Sequence, residues 1–379
     1  MNGMTKPQRL VFLCPEFTPY HDTLFDALVA DGSLVLRVVI MMGPTTTHPF
    51  AARDRRLYNW QMADPDAWID WRLIRTLLAE EPDSWFMVSS YYTPTLLAAM
   101  FFLARANRPF LYWTDTPLPQ EWLWHDRLPS PRPWWLRLGR RMVLRWIFAH
   151  AHRSLVTGQF GVKALHQLGC PTNKSVDFPH WVILGEPPAR LRQTVTPPLR
   201  TLAGVGQLIY RKGWEIAIQA LARARRTHHA LRLLLIGDGP ERPRLEQTVA
   251  DLQLGNQVVF LGWKQQQDIM QILSEADALI HPARWEPYGV VVLEAMAAGL
   301  AVLGSDATGA AVDRVVPGVS GFIHTVGNVE QLAGQIVQLA SDAPLLHRLQ
   351  QGARQIAEEW PPQRGVDRIK SLILPDTRA

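Results

Sequence analysis

The sequence predicts an α/β protein built from two doubly wound parallel-sheet domains. Short apolar runs alternate with helical patterns along the chain, which is typical of a parallel sheet covered on both faces. The segment at 185–200 contains four prolines and no apolar periodicity, and therefore predicts a linker. A length of 379 residues accommodates two or three domains at about 100–200 residues each.

The first domain is predicted at 1–190. Its strands are short apolar runs, at residues 9–14, 34–41, 85–88, 110–113 and 154–157. The run at 34–41 is almost continuously apolar, as expected of a parallel strand buried on both faces. A helix at 22–31 follows the first strand, because Leu24, Phe25 and Leu28 share one face.

The second domain is predicted at 199–360, where the alternation restarts. Its strands lie at residues 202–205, 231–236, 258–261, 278–280 and 301–304, with helices at 214–224 and 242–252. A helical pattern at 352–360 is broken by Pro361 and Pro362, and a second one follows at 365–373.

The amino-acid composition excludes several classes of protein. Hydrophobic residues make up 47% and charged residues 19%, so the chain is neither disordered nor collagen-like. The two cysteines, Cys14 and Cys170, form no disulfide framework and no CxxC zinc pair, which favours a reducing, cytoplasmic compartment. No apolar run reaches the roughly 18 residues of a spanning helix, so attachment to a membrane surface is the closest association expected.

The strongest local motif is the stretch from Glu286 to Glu294, followed by Ala-Met-Ala-Ala-Gly299. Pro287 and Gly289 place Glu286 on a loop, and Glu294 falls on the second turn of a helix beginning near Val290. Free N–H groups at a helix start bind phosphate, and carboxylates accept hydrogen bonds from sugar hydroxyls. The alternative is an exposed loop Glu with a second Glu near a helix start.

A second motif, Gly204-Val-Gly-Gln-Leu-Ile-Tyr-Arg211-Lys212-Gly213, lies between a strand and a helix. Two adjacent cations on such a loop can clamp a diphosphate, Arg211 through its planar fork and Lys212 as a point charge. A solvated pair of cations is the alternative, since the GVG pattern alone is a weak signal.

Together with LLLIGDGPERPRLE and VVFLGWKQQQDIMQILSEADALIHPARWEPYGVVVLEAMAAGLAVLGSDATGA, these motifs resemble the donor-binding domain of the retaining glycosyltransferases of family 4. The likeness covers roughly residues 200–360. It implies the GT-B fold, with two domains facing a central cleft and a terminal helix at 361–379 that crosses back to the first domain.

The resemblance also implies roles for individual residues. Glu286 and Glu294 would be the two carboxylates of the family's E-x7-E motif, one on the donor sugar and the other on the nucleotide ribose. The remaining donor-site roles fall to the diphosphate cations Arg211 and Lys212, to Gly262 and Trp263 near the base, and to the backbone N–H groups of Gly289 and Val290. Family members generally need no metal, and no Asp-x-Asp motif occurs within the donor-domain likeness at 200–360, so neither a metal nor a cofactor is expected.

Two residues of the first half are candidates for the acceptor side. Asp115 follows a predicted strand, at a place where the family often has a polar catalytic residue, and a turn aspartate is the alternative. His21 follows the first strand, where a surface loop histidine is the alternative.

The excess positive charge lies in the first half. The formal net charge is +5, and residues 1–197 hold 21 Lys and Arg against 16 Asp and Glu. Residues 131–153 contain six Arg and no acid. On a helix, one arc is basic (Arg137, Arg140, Arg141 and Arg145), and the other side is apolar (Trp135, Leu138, Met142, Trp146 and Ala149).

Such a helix is suited to binding an anionic membrane surface. The alternative is that its apolar face packs on the sheet of its own domain. No nucleic-acid module is present, so nucleic acid is not an expected partner.

The predicted function is transfer of a sugar, with retention, from a nucleotide-sugar to an acceptor hydroxyl. The acceptor would be a glycan or lipid-linked molecule. An epimerase or phosphorylase of the same architecture, and a catalytically inactive binding subunit, remain as alternatives.

Overall fold

The computed structural model describes residues 8–43, 57–80, 83–115, 133–186 and 199–374. The chain forms two compact units, and the described part of the first ends at Trp181 and resumes at Pro362. The sequence predicted the first domain to extend to residue 190. Val182 instead packs in the core of the second unit, and the carbonyl of Gly185 accepts a hydrogen bond from Arg354 at 2.8 Å.

The described part of the first unit contains a seven-stranded parallel sheet with the order β3-β2-β1-β4-β5-β6-β7. Its strands are β1 (Gln8–Cys14), β2 (Leu34–Ile40), β3 (Asn59–Met62), β4 (Trp85–Ser89), β5 (Phe110–Thr114), β6 (Arg153–Val156) and β7 (Ser175–Asp177). Its helices are α1 (Pro19–Asp31), α2 (Trp71–Glu80), α3 (Pro94–Arg105), α4 (Trp134–His150) and α5 (Gly158–Gln167), joined by the later α13 (Gln363–Ile373).

Alternate residues of β1 enter two separate cores, because successive side chains of a strand point to opposite faces. Val11 and Leu13 belong to one core, and Leu10 and Phe12 to the other. Both faces of the sheet are therefore covered, as the continuous apolar runs predict.

The described part of the second unit contains a six-stranded parallel sheet with the order β10-β9-β8-β11-β12-β13. Its strands are β8 (Thr201–Val205), β9 (Arg232–Ile236), β10 (Val258–Gly262), β11 (Ala278–His281), β12 (Ala301–Ser305) and β13 (Gly321–His324). Its helices are α6 (Trp214–Ala224), α7 (Arg242–Asp251), α8 (Gln266–Glu275), α9 (Val291–Ala297), α10 (Gly309–Arg314), α11 (Val329–Ser341) and α12 (Ala343–Glu358).

The strand order of each sheet reverses at one point, between β1 and β4 in the first unit and between β8 and β11 in the second. In open α/β sheets, loops leave the carboxyl ends of such strands in opposite directions and open a crevice for ligands. The two motifs of the second half follow β8 and β11, so the topology brings them to the same crevice.

Helix α13 belongs to the core of the first unit. Val366, Ile369 and Ile373 are buried there, and Leu372 packs against the same cluster. A Cβ added to Gly365 would lie 2.9 Å from Leu24, so the helix lies close against α1. Across the described part of the chain, no helix is both long enough and apolar enough to cross a membrane.

Candidate active site

Two glycines at the end of β8, Gly204 within the strand and Gly206 directly after it, each make room for a side chain of the site. A Cβ at Gly204 would come within 2.6 Å of the buried indole of Trp214, whose N–H donates to the carbonyl of Gln207 at 2.9 Å. Gly206 has a φ of +147°, and a Cβ there would lie 3.3 Å from Nζ of Lys212. The GVG pattern therefore fits an aromatic ring and an ammonium group against the backbone.

The loop that carries the two cations packs against the loop after β11. A short 3-10 helix (Tyr210–Lys212) ends at Gly213, where φ is +67° and a Cβ would come 2.4 Å from the carbonyl oxygen of Pro282. Nη1 of Arg211 donates to the carbonyl of Trp285 at 3.1 Å. Arg211 is thus tied to the residue that precedes Glu286.

Glu286 is the point at which the two motifs meet. Lys212 hydrogen-bonds its Oε2, and Nη1 of Arg211 lies 3.4 Å from the same oxygen. Glu286 is only 7% exposed, so the alternative of an exposed loop Glu is wrong. Burial acts to raise the pKa of Glu286, but Lys212, His281 and Arg211 outweigh it and hold the pKa well below its ordinary value.

His281, the last residue of β11, lies beneath this carboxylate. Its Nε2 is 3.7 Å from Oε2 of Glu286, and its ring is fully buried. Burial lowers the pKa of His281, which keeps the imidazole neutral. His281 was not predicted from the sequence, because a histidine that ends an apolar strand carries no local signal.

The loop from Glu286 to Gly289 is held by the segment before α10 and by the first turn of that helix. The N–H of Glu286 donates to the carbonyl of Ala307 at 2.9 Å, and the N–H of Ala310 donates to that of Tyr288 at 2.7 Å. Gly289 has a φ of +88°, and a Cβ there would lie 3.0 Å from Cγ of Glu286. Gly289 and Val290 therefore lie directly before α9, with Gly289 against the side chain of Glu286.

Glu294 lies on the first turn of α9, and its predicted place on the second turn is wrong because the helix begins at Val291. Nε2 of Gln266 donates to its Oε1 at 2.6 Å. Burial raises the pKa of Glu294, and the bond from Gln266 opposes that rise in part.

Gln266 is the first residue of α8 and follows closely on Gly262 and Trp263. Gly262 ends β10 with a φ of +69°, and the indole of Trp263 is 51% exposed. Gln266 thus connects the segment expected near the base with the carboxylate expected near the ribose, although no local pattern marks it.

Asp115 follows β5 in the first unit, and its side chain is 71% exposed. Its Oδ1 accepts hydrogen bonds from Nε2 of His180 at 3.0 Å and from the hydroxyl of Thr157 at 3.2 Å. Desolvation by the surrounding residues acts to raise the pKa of Asp115, but its interactions with His180, His21 and Thr157 together outweigh that effect and lower the pKa. Neither partner was found from the sequence.

His21 lies in α1 and is 7% exposed, so the alternative of a surface loop histidine is wrong. Its ring lies 5.0 Å from that of Trp113, which in turn lies 5.7 Å from the ring of His180. Burial, joined by His180, lowers the pKa of His21 to about 3. His21 is therefore a buried, neutral side chain packed beside the Asp115 cluster rather than an exposed group.

Helix α4 packs mainly through residues other than those predicted, although Trp146 of the predicted apolar face lies against the core. Its buried residues are Leu144, Ile147 and Phe148, all in the second half of the helix. The first half exposes large apolar side chains by 44–69%: Trp134, Trp135, Leu136, Leu138 and Met142. These five residues are called the α4 patch below. The alternative that the predicted apolar face packs on the sheet is therefore wrong for Trp135, Leu138 and Met142.

No cluster of three or more His, Cys, Asp or Glu side chains suited to a metal ion occurs within the described ranges.

Comparisons with known proteins give a family match for the second half of the chain and a fold match for nearly all of it. Residues 195–356 match the family model "Glycosyl transferases group 1". The 2-deoxystreptamine glucosyltransferase of Streptomyces kanamyceticus is 31% identical over 171 residues, which are 45% of this chain and 43% of that protein. The lipopolysaccharide core biosynthesis glycosyltransferase LpsE of Rhizobium meliloti is 32% identical over 145 residues, 38% of this chain and 41% of that protein. The chain thus matches less than half the length of each relative.

Among solved structures, that of HepE from Anabaena in complex with UDP superimposes with a TM-score of 0.74 at 19% identity, covering 96% of this chain and 99% of that one. Similarity at this level bears on the fold. The protein therefore has the GT-B fold, and its second unit carries the match to the group 1 glycosyl transferases.

Proposed function

We propose that this protein is a retaining, metal-independent glycosyltransferase of family 4. It moves a sugar from a nucleotide-sugar donor to an acceptor hydroxyl. The observation that carries the proposal is the convergence of Arg211 and Lys212 on the buried carboxylate of Glu286. This convergence lies at the strand-order reversal of the unit that matches the group 1 glycosyl transferases.

The charges of this cluster suit a nucleoside diphosphate leaving group. During transfer, the bond between the anomeric carbon and the terminal phosphate oxygen breaks, and negative charge grows on the diphosphate. Preorganised cations stabilise such charge most effectively, and Arg211 and Lys212 take the role that a metal ion fills elsewhere. Because the two cations compensate Glu286, its carboxylate can accept hydrogen bonds from the donor sugar without repelling the diphosphate.

The nucleoside is assigned to Glu294, Gln266 and Trp263. A carboxylate can accept hydrogen bonds from both hydroxyl groups of a ribose, and the amide of Gln266 fixes one oxygen of Glu294 for that purpose. The exposed indole of Trp263 offers a stacking surface for the base. HepE was solved with UDP, which makes the UDP-sugars the first donors to test.

The acceptor is assigned to the first unit, with Asp115 as its contact. As the acceptor oxygen bonds to the anomeric carbon, its proton passes to the departing diphosphate oxygen. An ionised carboxylate is a suitable hydrogen-bond acceptor to orient that hydroxyl beforehand. His21 shapes the wall behind Asp115 and does not titrate at neutral pH, because its pKa is about 3.

A screen with UDP-, GDP- and ADP-sugars tests the proposed function. Purified protein is incubated with each donor, with and without EDTA, and nucleoside diphosphate release and product are followed. We expect release with one donor class, unaffected by EDTA, and a product whose anomeric proton coupling matches that of the donor. Lys212→Met should lose release, and Arg223→Met should keep it, because Arg223 pairs with Glu330 on the surface.

Three results would contradict the proposal. Epimerised donor or phosphate-dependent release would favour the other GT-B enzymes. Nucleotide binding with no turnover on any donor would favour an inactive binding subunit.

We further propose that the acceptor is a glycan or lipid-linked molecule, met at the anionic cytoplasmic face of a membrane through α4. The α4 patch exposes two tryptophans and three aliphatic side chains, and four arginines lie on the same helix (Arg137, Arg140, Arg141 and Arg145). An apolar surface joined to clustered arginines is complementary to an anionic bilayer. LpsE, named for lipopolysaccharide core biosynthesis, supports testing such an acceptor.

A further inference from the structure

The carboxylate of Asp115 is held from one side only. Its recorded hydrogen bonds within the described residues, from His180 and Thr157, both end on Oδ1. The side chain is nevertheless 71% exposed. Two donors on one oxygen restrict rotation of the carboxylate, and they leave Oδ2 open to a ligand.

His180 itself is fixed in place. It is 6% exposed, and the ring of Tyr20 packs against it at 4.7 Å while that of Trp113 lies at 5.7 Å. The chain is anchored on either side, because Phe178 and Trp181 both lie in the core of the first unit. An exposed aspartate is therefore oriented by a buried, immobile imidazole.

We propose that His180 is a positioning residue that holds the Asp115 carboxylate in one orientation through Oδ1, so that Oδ2 accepts a hydrogen bond from a sugar hydroxyl of the acceptor. The assignment of the acceptor to Asp115 rests on the proposed function. The orientation of the carboxylate rests on the contacts alone.

The charges around the cluster agree with this role. Among the described residues, the ionisable groups that act on the Asp115 carboxylate are His180 and His21. His21 stays neutral at physiological pH because burial lowers its pKa to about 3. The hydrogen bond from His180 therefore makes the largest favourable contribution to the ionised carboxylate.

The test compares two substitutions of similar size. His180→Leu removes the donor, and His180→Gln supplies an amide N–H in its place. In protein labelled with ¹³C-aspartate, the Asp115 carboxyl resonance, assigned with Asp115→Asn, is titrated in each variant. We expect the Leu variant to bind a proton at Asp115 about tenfold more tightly, a pKa higher by about one unit, and the Gln variant to reverse most of that change.

Turnover of the nucleotide-sugar found in the donor screen is measured beside the titration. Loss of a positioning contact should lower kcat in His180→Leu while the KM for the donor stays unchanged, and His180→Gln should recover it. His166→Ala is the control, because His166 is an exposed histidine bonded to Ser175 at 2.7 Å. If the Leu variant does not fold, His180→Ala replaces it.

An Asp115 titration identical in wild type and His180→Leu would overturn the proposal, as would a Gln variant indistinguishable from Leu in both measurements. Absence of turnover with every nucleotide-sugar would instead reject the proposed function. The titration would still decide whether His180 holds Asp115.

Discussion

Replacing Lys212 by Met removes one of the two cations on Glu286 and shortens the side chain by only its terminal atom. The ammonium group is almost buried, with 12% of the side chain exposed, and its partner carboxylate is 10% exposed. In the proposed function, the same ammonium contacts the diphosphate. One substitution therefore tests both the donor site and the ion pair.

The structure sets the expected size of both effects. Loss of a charge-assisted hydrogen bond costs about 1.5–3 kcal/mol, which weakens UDP binding by about 10- to 150-fold. Removing one partner of a buried ion pair costs about 3–5 kcal/mol of stability. Arg211 stays 3.4 Å from the same oxygen, so we expect the lower end, about 3 kcal/mol.

A double-mutant cycle with Glu286→Gln separates these effects. The second substitution removes the stranded charge, so the doubly substituted protein should be more stable than the sum of the single changes predicts, by about 1–3 kcal/mol. UDP affinity is measured by calorimetry and stability by urea unfolding. Arg223→Met, which breaks a surface pair, should cost at most about 1 kcal/mol and leave UDP binding unchanged.

Two results would refute this reasoning. UDP affinity equal to wild type in Lys212→Met would mean that the diphosphate does not bind at this cluster. Additive stability changes in the cycle would mean that Lys212 and Glu286 are not coupled in the folded protein.

The other predictions concern pH, the ribose contact and the membrane. The pKa of Glu294 is raised in the folded state. At pH values above the ordinary pKa of a glutamate, the folded state therefore binds more protons than the unfolded state, and the free energy of unfolding falls as the pH rises. Glu294→Gln should therefore unfold at higher urea at pH 7 and bind UDP less tightly in calorimetry; equal stability would contradict this. His324 is buried with a pKa of about 4, so the unfolded state binds more protons between pH 6.5 and 4, and stability falls as pH drops. His324→Phe should remove up to about 3 kcal/mol of that fall in urea unfolding across this range, and an unchanged slope would exclude His324 as its source. Co-sedimentation with phosphatidylserine vesicles at low salt should be lost when the four α4 arginines are changed together to Gln, because each contributes about 1 kcal/mol to binding an anionic surface. UDP binding should be retained. Undiminished sedimentation would show that α4 does not contact the membrane. The changed residues are Arg137, Arg140, Arg141 and Arg145.

Local patterns in the sequence determined most of the secondary structure. Apolar periodicity and turn residues depend on neighbours a few positions apart, so they predicted strands such as β1 and β2 and helices such as α6 and α7 without tertiary contacts. The strands β3, β7 and β13 were missed, because three or four residues at the edge of a sheet form no apolar run long enough to predict a strand.

The two donor motifs were also predicted from the sequence, because a pair of cations and a pair of carboxylates at fixed spacing carry their chemistry locally. That the two motifs lie together in the folded chain was not predicted. Lys212 and Glu286 are 74 positions apart, and the reversal of strand order between β8 and β11 brings their loops together.

Burial and long-range partners were decided by the tertiary structure alone. Glu286 and His21 had exposed alternatives that only packing could remove, since burial depends on every element that covers a residue. His180 and Gln266 have no local signature, and they gained meaning from partners 65 and 28 positions away. In α4, periodicity predicted the helix, but the sheet beneath its second half decided which side chains are covered, and this left the α4 patch exposed.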